Sequence, residues 1–124
     1  MRDIRFRAWD KVNNKMLSHK DMLDGSWDNW PTLFFAITDN DIYIPMQFTG
    51  LKDCKGKEWF DGEILDGINM HRMIVVFHKY GWCIKFKDQG MEYIEPITDD
   101  FIENFEPYSI GNIYENPNLI KEVL

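Results

Sequence analysis

Cysteine is scarce: the 124 residues hold two, Cys54 and Cys83. They stand far apart and form no CxxC pair, which excludes a disulfide framework and a thioredoxin-like redox motif and predicts two free thiols. Long apolar runs are missing as well. No stretch approaches the ~20 residues that span a bilayer, and the opening MRDIRFRAWD lacks the apolar core of a signal peptide. A cytoplasmic location with no membrane partner is the expectation. There is no Walker loop, no GxSxG and no HExxH, so phosphate-loop, serine-hydrolase and zinc-protease chemistry have no support in the residues. Internal repeats, low-complexity tracts and Ser/Pro/Gly linkers are also lacking, so a single domain is expected over 1–124.

Basic residues are absent from one long stretch. Between Lys87 and Lys121 there is no Lys or Arg, while Asp88, Glu92, Glu95, Asp99, Asp100, Glu103, Glu106 and Glu115 supply eight negative charges. The chain carries −7 in all, yet residues 1–20 hold six bases against two acids, a net +4, which leaves −11 for the rest. A basic head thus precedes an acidic tail. The overall sign argues against a general nucleic-acid coat, whose affinity for phosphates rests on Lys and Arg.

Aromatic residues are abundant at 15%, which favours broad side chains packed across pleated sheets, and the chain reads as mostly β. Ile4, Phe6 and Ala8 alternate with Arg5, Arg7 and Trp9, the period of a strand with one buried face. Asn13 and Asn14 suit a turn, and residues 15–17 a short return strand. Residues 21–31, with Trp27 and Trp30 among Gly, Asp and Pro, read as a loop. Residues 32–37 and 42–45 predict a second hairpin, and 47–51 with 57–60, around Gly56, a third. Residues 62–66, 71–78, 82–86, 91–94 and 108–114 predict five more strands. The strand at 71–78 is apolar on both faces and therefore central. Thr98 caps a helical turn over 99–105, and Asn116 and Pro117 predict the N-cap and first residue of a short C-terminal helix. A soft boundary falls near Asp61, separating N-terminal hairpins (1–60) from a meander that suits a small SH3-like barrel with that helix (61–124).

Three segments carry a resemblance. MRDIRFRAWDKVNNKM includes Trp9 and Asp10. MQFTGLKDCKGKEWFDGEIL includes Gln47, Thr49, Gly50, Leu51, Asp53, Gly56, Gly62 and Ile64. SIGNIYENPNLI runs Gly111, Asn112, Ile113, Tyr114, Glu115, Asn116 and Pro117 in an order that chance rarely supplies. Together they resemble the YopX family of phage and prophage proteins over nearly the whole chain. The resemblance implies an SH3-like barrel in the C-terminal part and a life inside a bacterial host cell. It implies no activity.

Candidate sites divide accordingly. His71 and His78 are seven apart, which on a strand places them on opposite faces, and His19 is distant, so a zinc site is not expected. Cys54 lies among Lys52, Lys55 and Lys57 without a base in its neighbourhood, and no catalytic role is assigned to it. Asp61 with Glu63, and Asp99 with Asp100, are read as a solvated turn and a helix N-terminus, where carboxylates belong on electrostatic grounds. Gly111 is assigned a structural role, close backbone approach or a bulge. No cofactor and no enzymatic activity are expected. Arg5, Arg7 and Trp9 share a strand face with Lys11 and Lys15 nearby, a mixture used in protein interfaces and in single-stranded nucleic-acid binding. With Trp27 and Trp30 as apolar anchors, they predict an interaction module that self-associates as a homo-oligomer or meets a host or phage protein. Nucleic-acid binding through the basic face ranks behind it, as does an acidic decoy imitating DNA.

Overall fold

The computed structural model describes residues 4–23, 42–68 and 71–120. Contacts divide the chain into two units, Met1–Phe48 and Thr49–Leu124. Asp61, the soft boundary of the sequence, falls inside the second unit, in the turn between the strands Glu58–Phe60 and Glu63–Asp66. The described chain is mostly β. No helix among the described residues is long and apolar enough to cross a membrane.

In the first unit β1 (Phe6–Asp10) pairs with β2 (Lys15–Leu17), Ala8 facing Leu17 and Asp10 facing Lys15. Asp10 shapes the turn between them: Oδ1 accepts from the N–H groups of Val12 and Asn13, at 2.9 and 3.1 Å, and Oδ2 from the Asn13 side chain. Asn14 takes a left-handed φ of 51°. Where a loop was expected from Asp21, the chain forms α1 (His19–Leu23). Ser18 Oγ accepts from Asp21 N–H, and Asp21 Oδ2 accepts from Ser18 N–H, a reciprocal capping box built with Asp. The cap starts a helix that propensity alone would not sustain over five residues. What holds it is Met22, fully buried on Ala8 beside Phe6, Leu17 and Tyr43. Trp27, Trp30 and the expected strand at 32–37 lie outside the described residues.

Residues 42–45 and 47–51 do not form separate strands. They run together in β3 (Tyr43–Lys52), antiparallel to β1 from Phe6 facing Gln47 to Asp10 facing Tyr43. Pro45 stands mid-strand, facing Ala8. That position suits proline because the next strand lies beside the later part of β3, so at Pro45 the missing N–H breaks no outer ladder.

In the second unit the end of β3 turns into β4 (Glu58–Phe60). A five-stranded antiparallel sheet follows, made of β5 (Glu63–Asp66), β6 (Met73–His78), β7 (Gly81–Asp88), β8 (Met91–Pro96) and β9 (Tyr108–Asn112), in the order β8-β7-β6-β5-β9. The last strand returns to the first, and β6 is central, as its two apolar faces predicted. Alternate residues of β5 and β6 feed two cores. Leu65, Met73 and Val75 join Trp59, Ile84 and Phe101 on one face, and Ile64 and Ile74 join Ile120 on the other. Trp59 is fully buried; truncating such a tryptophan costs about 3–5 kcal/mol.

Before β9 lies α2 (Asp99–Phe105). Thr98 is its N-cap, Oγ1 accepting from Phe101 N–H at 3.2 Å, with Asp99 and Asp100 at the positive end of the first turn. β9 ends at Asn112, two residues short of the expectation, and the described part of the C-terminal helix is a 3-10 turn, Pro117–Ile120.

Candidate functional site

The residues that carry the sequence motifs gather, within the second unit, around two buried carboxylates. Asp53 organises the β3–β4 turn: Oδ1 accepts from the N–H groups of Lys55 and Lys57, at 2.9 and 3.0 Å, while its own N–H bonds Lys57 O. Gly56, in that turn, has the positive φ expected of it, 81°. Oδ2 reaches 56 positions along the chain to accept from Ser109 N–H at 3.0 Å. Burial works against ionisation of Asp53, but the N–H groups of Ser109, Lys57 and Lys55 outweigh it and hold the carboxyl below its ordinary pKa.

Ser109 also donates its hydroxyl to Glu63 Oε2. Glu63, expected in a solvated turn, is 1% exposed. The reason is the position of β5, an inner strand between β6 and β9, which carries Glu63 indoors with Ile64 and Leu65. A buried carboxylate costs several kcal/mol unless hydrogen bonds compensate it. The Asp53, Ser109 and Glu63 group therefore fastens the β3–β4 turn, β9 and β5 to one another.

β9 leaves through a second knot. Between Ile64 and Leu65 the β5–β9 register shifts from Gly111 to Ser109, so Ile110 is the extra residue of a bulge. Asn112 Oδ1 accepts from the N–H groups of Tyr114 and Glu115, and its side-chain amide donates to Glu115. Asn116 was expected to cap the following helix with its side chain. Its Oδ1 instead accepts from Asn112 N–H at 3.2 Å, and its backbone carbonyl takes Leu119 N–H. The tight turn brings Asn116 back onto β9, which leaves its side chain nearer the strand than the helical N–H groups. Burial and the nearby Asp61 carboxylate push the Tyr114 phenol up.

The predicted interaction residues are placed differently from one another. Arg7 is buried, 7% exposed, while Arg5 is half-buried with its guanidinium 4.3 Å above the Phe48 ring. The register sets Arg7 beside Met46 and Trp9 beside Ile44 on that strand face, so the Arg7 side chain lies among apolar neighbours. Trp9 is half-buried, and Lys11 and Lys15 are exposed. Trp27 and Trp30 lie outside the described residues. Cys54 is exposed and Cys83 buried, both as free thiols. His19 accepts from Phe6 N–H through Nδ1, His71 stacks on Phe86 with Asp88 3.5 Å away, and His78 is exposed at the end of β6. Among the described residues no three His, Cys, Asp or Glu side chains converge to hold a metal ion.

Sequence reasoning passed over one exposed strand. All six residues of β8 are exposed, and Met91, Tyr93 and Ile94 stay 62, 41 and 37% accessible. β8 is an end strand of its sheet, with β7 as its neighbour among the described residues. Beside it an open groove of about 340 Å³ has Ile84, Phe101 and Phe105 among its apolar lining and Glu95, Asp100 and Asn104 among its polar lining. No local pattern marks it, because a polar face shows that a strand is half exposed and not that it ends its sheet.

The family model described as YopX protein matches residues 5–121. Among solved structures, the crystal structure of protein EF1440 from Enterococcus faecalis is 25% identical, with a TM-score of 0.68, and the match covers 98% of this chain and 100% of that one. The search of curated proteins returned no match.

Proposed function

The chain belongs to the YopX family, and from that premise we propose that it is a non-enzymatic interaction module, a phage or prophage accessory protein that takes on a strand of another polypeptide at β8. The supporting observation is the accessibility of that edge, exposed at every residue from Met91 to Pro96. Natural sheets usually cover or shorten such edges, because their unpaired N–H and C=O groups are a template for pairing, and recognition by strand addition uses the same groups. A non-enzymatic role is favoured by the polar residues of the motifs. Asp53, Asn112 and Asn116 direct their side chains at backbone groups. For the second unit, the return of β9 to β5 after the helix α2 supports the small SH3-like barrel expected from the sequence.

Self-association and the basic N-terminal face enter this reading with altered weight. Arg7 is buried, so a contact between opposite charges would rest on Arg5, Lys11 and Lys15. The apolar residues exposed on β8 offer a second copy a different route.

The test is amide hydrogen exchange on the full chain, alone at rising concentration and with extended decapeptides of alternating Val and Thr. Protection gained at Glu92 and Ile94 under any of these conditions is the expected result. Unchanged exchange along β8 throughout, with light scattering showing a monomer, overturns it.

A further inference from the structure

We propose that the partner strand taken by β8 is basic, and that one of its Lys or Arg side chains lies in the groove beside Glu95 and Asp100. The inference rests on the strand-accepting reading and adds the chemistry of the occupant.

The backbone sets the register. Ile97 N–H bonds Trp82 O, which makes 82 and 97 a hydrogen-bonded pair continuing the β7–β8 register of Ile84 with Glu95, Phe86 with Tyr93 and Asp88 with Met91. In an antiparallel ladder such pairs alternate with non-bonded ones. The N–H and C=O groups of residues 91, 93 and 95 therefore turn toward β7, and those of Glu92 and Ile94 turn outward. Pro96 lacks an N–H and ends the outward row. A visiting strand finds four backbone groups to bond, enough to orient it and too few to select it. Side chains must do the selecting.

On one face of β8 stand Met91, Tyr93 and Glu95, with Tyr93 stacked on Phe86 at 5.2 Å. The row leads into the groove, whose lining Glu95 itself joins. A Lys or Arg stem suits the apolar surface of Ile84, Phe101 and Phe105, and its charged head would then reach Glu95 and Asp100. On the other face Lys85 lies 3.8 Å from Glu92. Among the described residues no ion pair engages Glu95 or Asp100.

Charge then decides between occupants. Residues 88–120 contain eight acids and no Lys or Arg. A second copy of β8 brings more carboxylates to an acidic rim, and like charges across a strand pair are destabilising. A basic strand meets the complementary sign, which also speeds its encounter.

The experiment uses the full chain and three fluorescent decapeptides of alternating Val and Thr, with four positions made Lys, Gln or Glu. The expected result is that the Lys peptide binds at least about tenfold more tightly than the Gln peptide, a difference that shrinks with salt. The Glu peptide does not bind. Glu95→Lys, on an exposed site, should invert the order, and Ile94→Pro should abolish binding of all three. Equal binding of the Lys and Gln peptides, or indifference to Glu95→Lys, overturns the basic partner and leaves strand addition standing. If neither a peptide nor rising protein concentration protects Glu92 and Ile94, both readings fall. Protection that rises with protein concentration alone identifies a second copy as the occupant and overturns the basic strand.

Discussion

The side chain of Asn116 fills the space that any side chain on Gly111 would need. A Cβ built on Gly111 would lie 2.7 Å from Asn116 Cγ, and Gly111 holds a φ of 152° that residues with side chains rarely adopt. Gly111→Ala should therefore destabilise the chain by at least about 2 kcal/mol. Asn116→Ala should cost on the order of 1 kcal/mol by leaving Asn112 N–H without its acceptor. The double variant should lose less than the sum, because removing Asn116 beyond Cβ relieves the clash. Urea denaturation of the four proteins measures the coupling; strict additivity would show that the two positions do not meet.

Asp53 gives a prediction in pH. Its carboxyl has a lowered pKa, so its contribution is present above the ordinary carboxylate pKa of ~3.9 and is lost as pH falls below that value. Asp53→Asn should lower stability by about 1–3 kcal/mol at neutral pH, since an amide nitrogen would face Ser109 N–H or Lys57 N–H. It should also flatten the acid limb of the stability curve. Chemical denaturation between pH 2 and 7 reads both, and an acid limb unchanged by the substitution contradicts the assignment.

The two arginines of β1 should separate. Arg7→Ala is expected to destabilise by about 2–3 kcal/mol, because the buried side chain leaves a hole among packed neighbours. Arg5→Ala should cost no more than about 1 kcal/mol, the size of a cation–π contact. Thermal denaturation of the two variants compares them. Equal and negligible effects would return Arg7 to the surface.

Ser18→Ala should cost about 1 kcal/mol through the lost cap of α1. Hydrogen exchange at Met22 should rise with it, because that N–H bonds Ser18 O at the start of the helix.

These four cases also show what the chain discloses before it folds. The capping of α2 by Thr98 and the central place of β6 were legible, because a single side chain or a single alternation determines each. α1 was not: five residues with one fully buried apolar side chain give no period to detect, and the reciprocal Ser18 and Asp21 signal was its sole mark. Arg7 was placed outdoors because alternation assigns charge to water, and Glu63 because it stands with Asp61 in what reads as a solvated turn. Their strands have neighbours on both sides, a fact that belongs to the topology and not to the local pattern. The β8 edge escaped notice for the converse reason, since which strand ends a sheet is settled by pairings made far along the chain. Asn116 was legible as a cap, while the direction of its side chain followed from the tight turn that returns it to Asn112.

The return of β9 to β5 fixes an order of events during synthesis. The β6–β7 and β7–β8 hairpins need contacts between near neighbours and form in microseconds once their residues are available. β5 can pair β6 as early, but its other edge waits for residues more than forty positions downstream, Glu63 for Asn112 and Asp66 for Tyr108. Until they arrive, the Glu63 carboxylate lacks the Ser109 hydroxyl and has reason to stay in water. A ribosome-bound chain short of Ser109 is therefore a string of finished hairpins with an unfinished seam. When β9 emerges it closes that seam, and the Ser109 hydroxyl it brings meets the Glu63 carboxyl as the seam shuts.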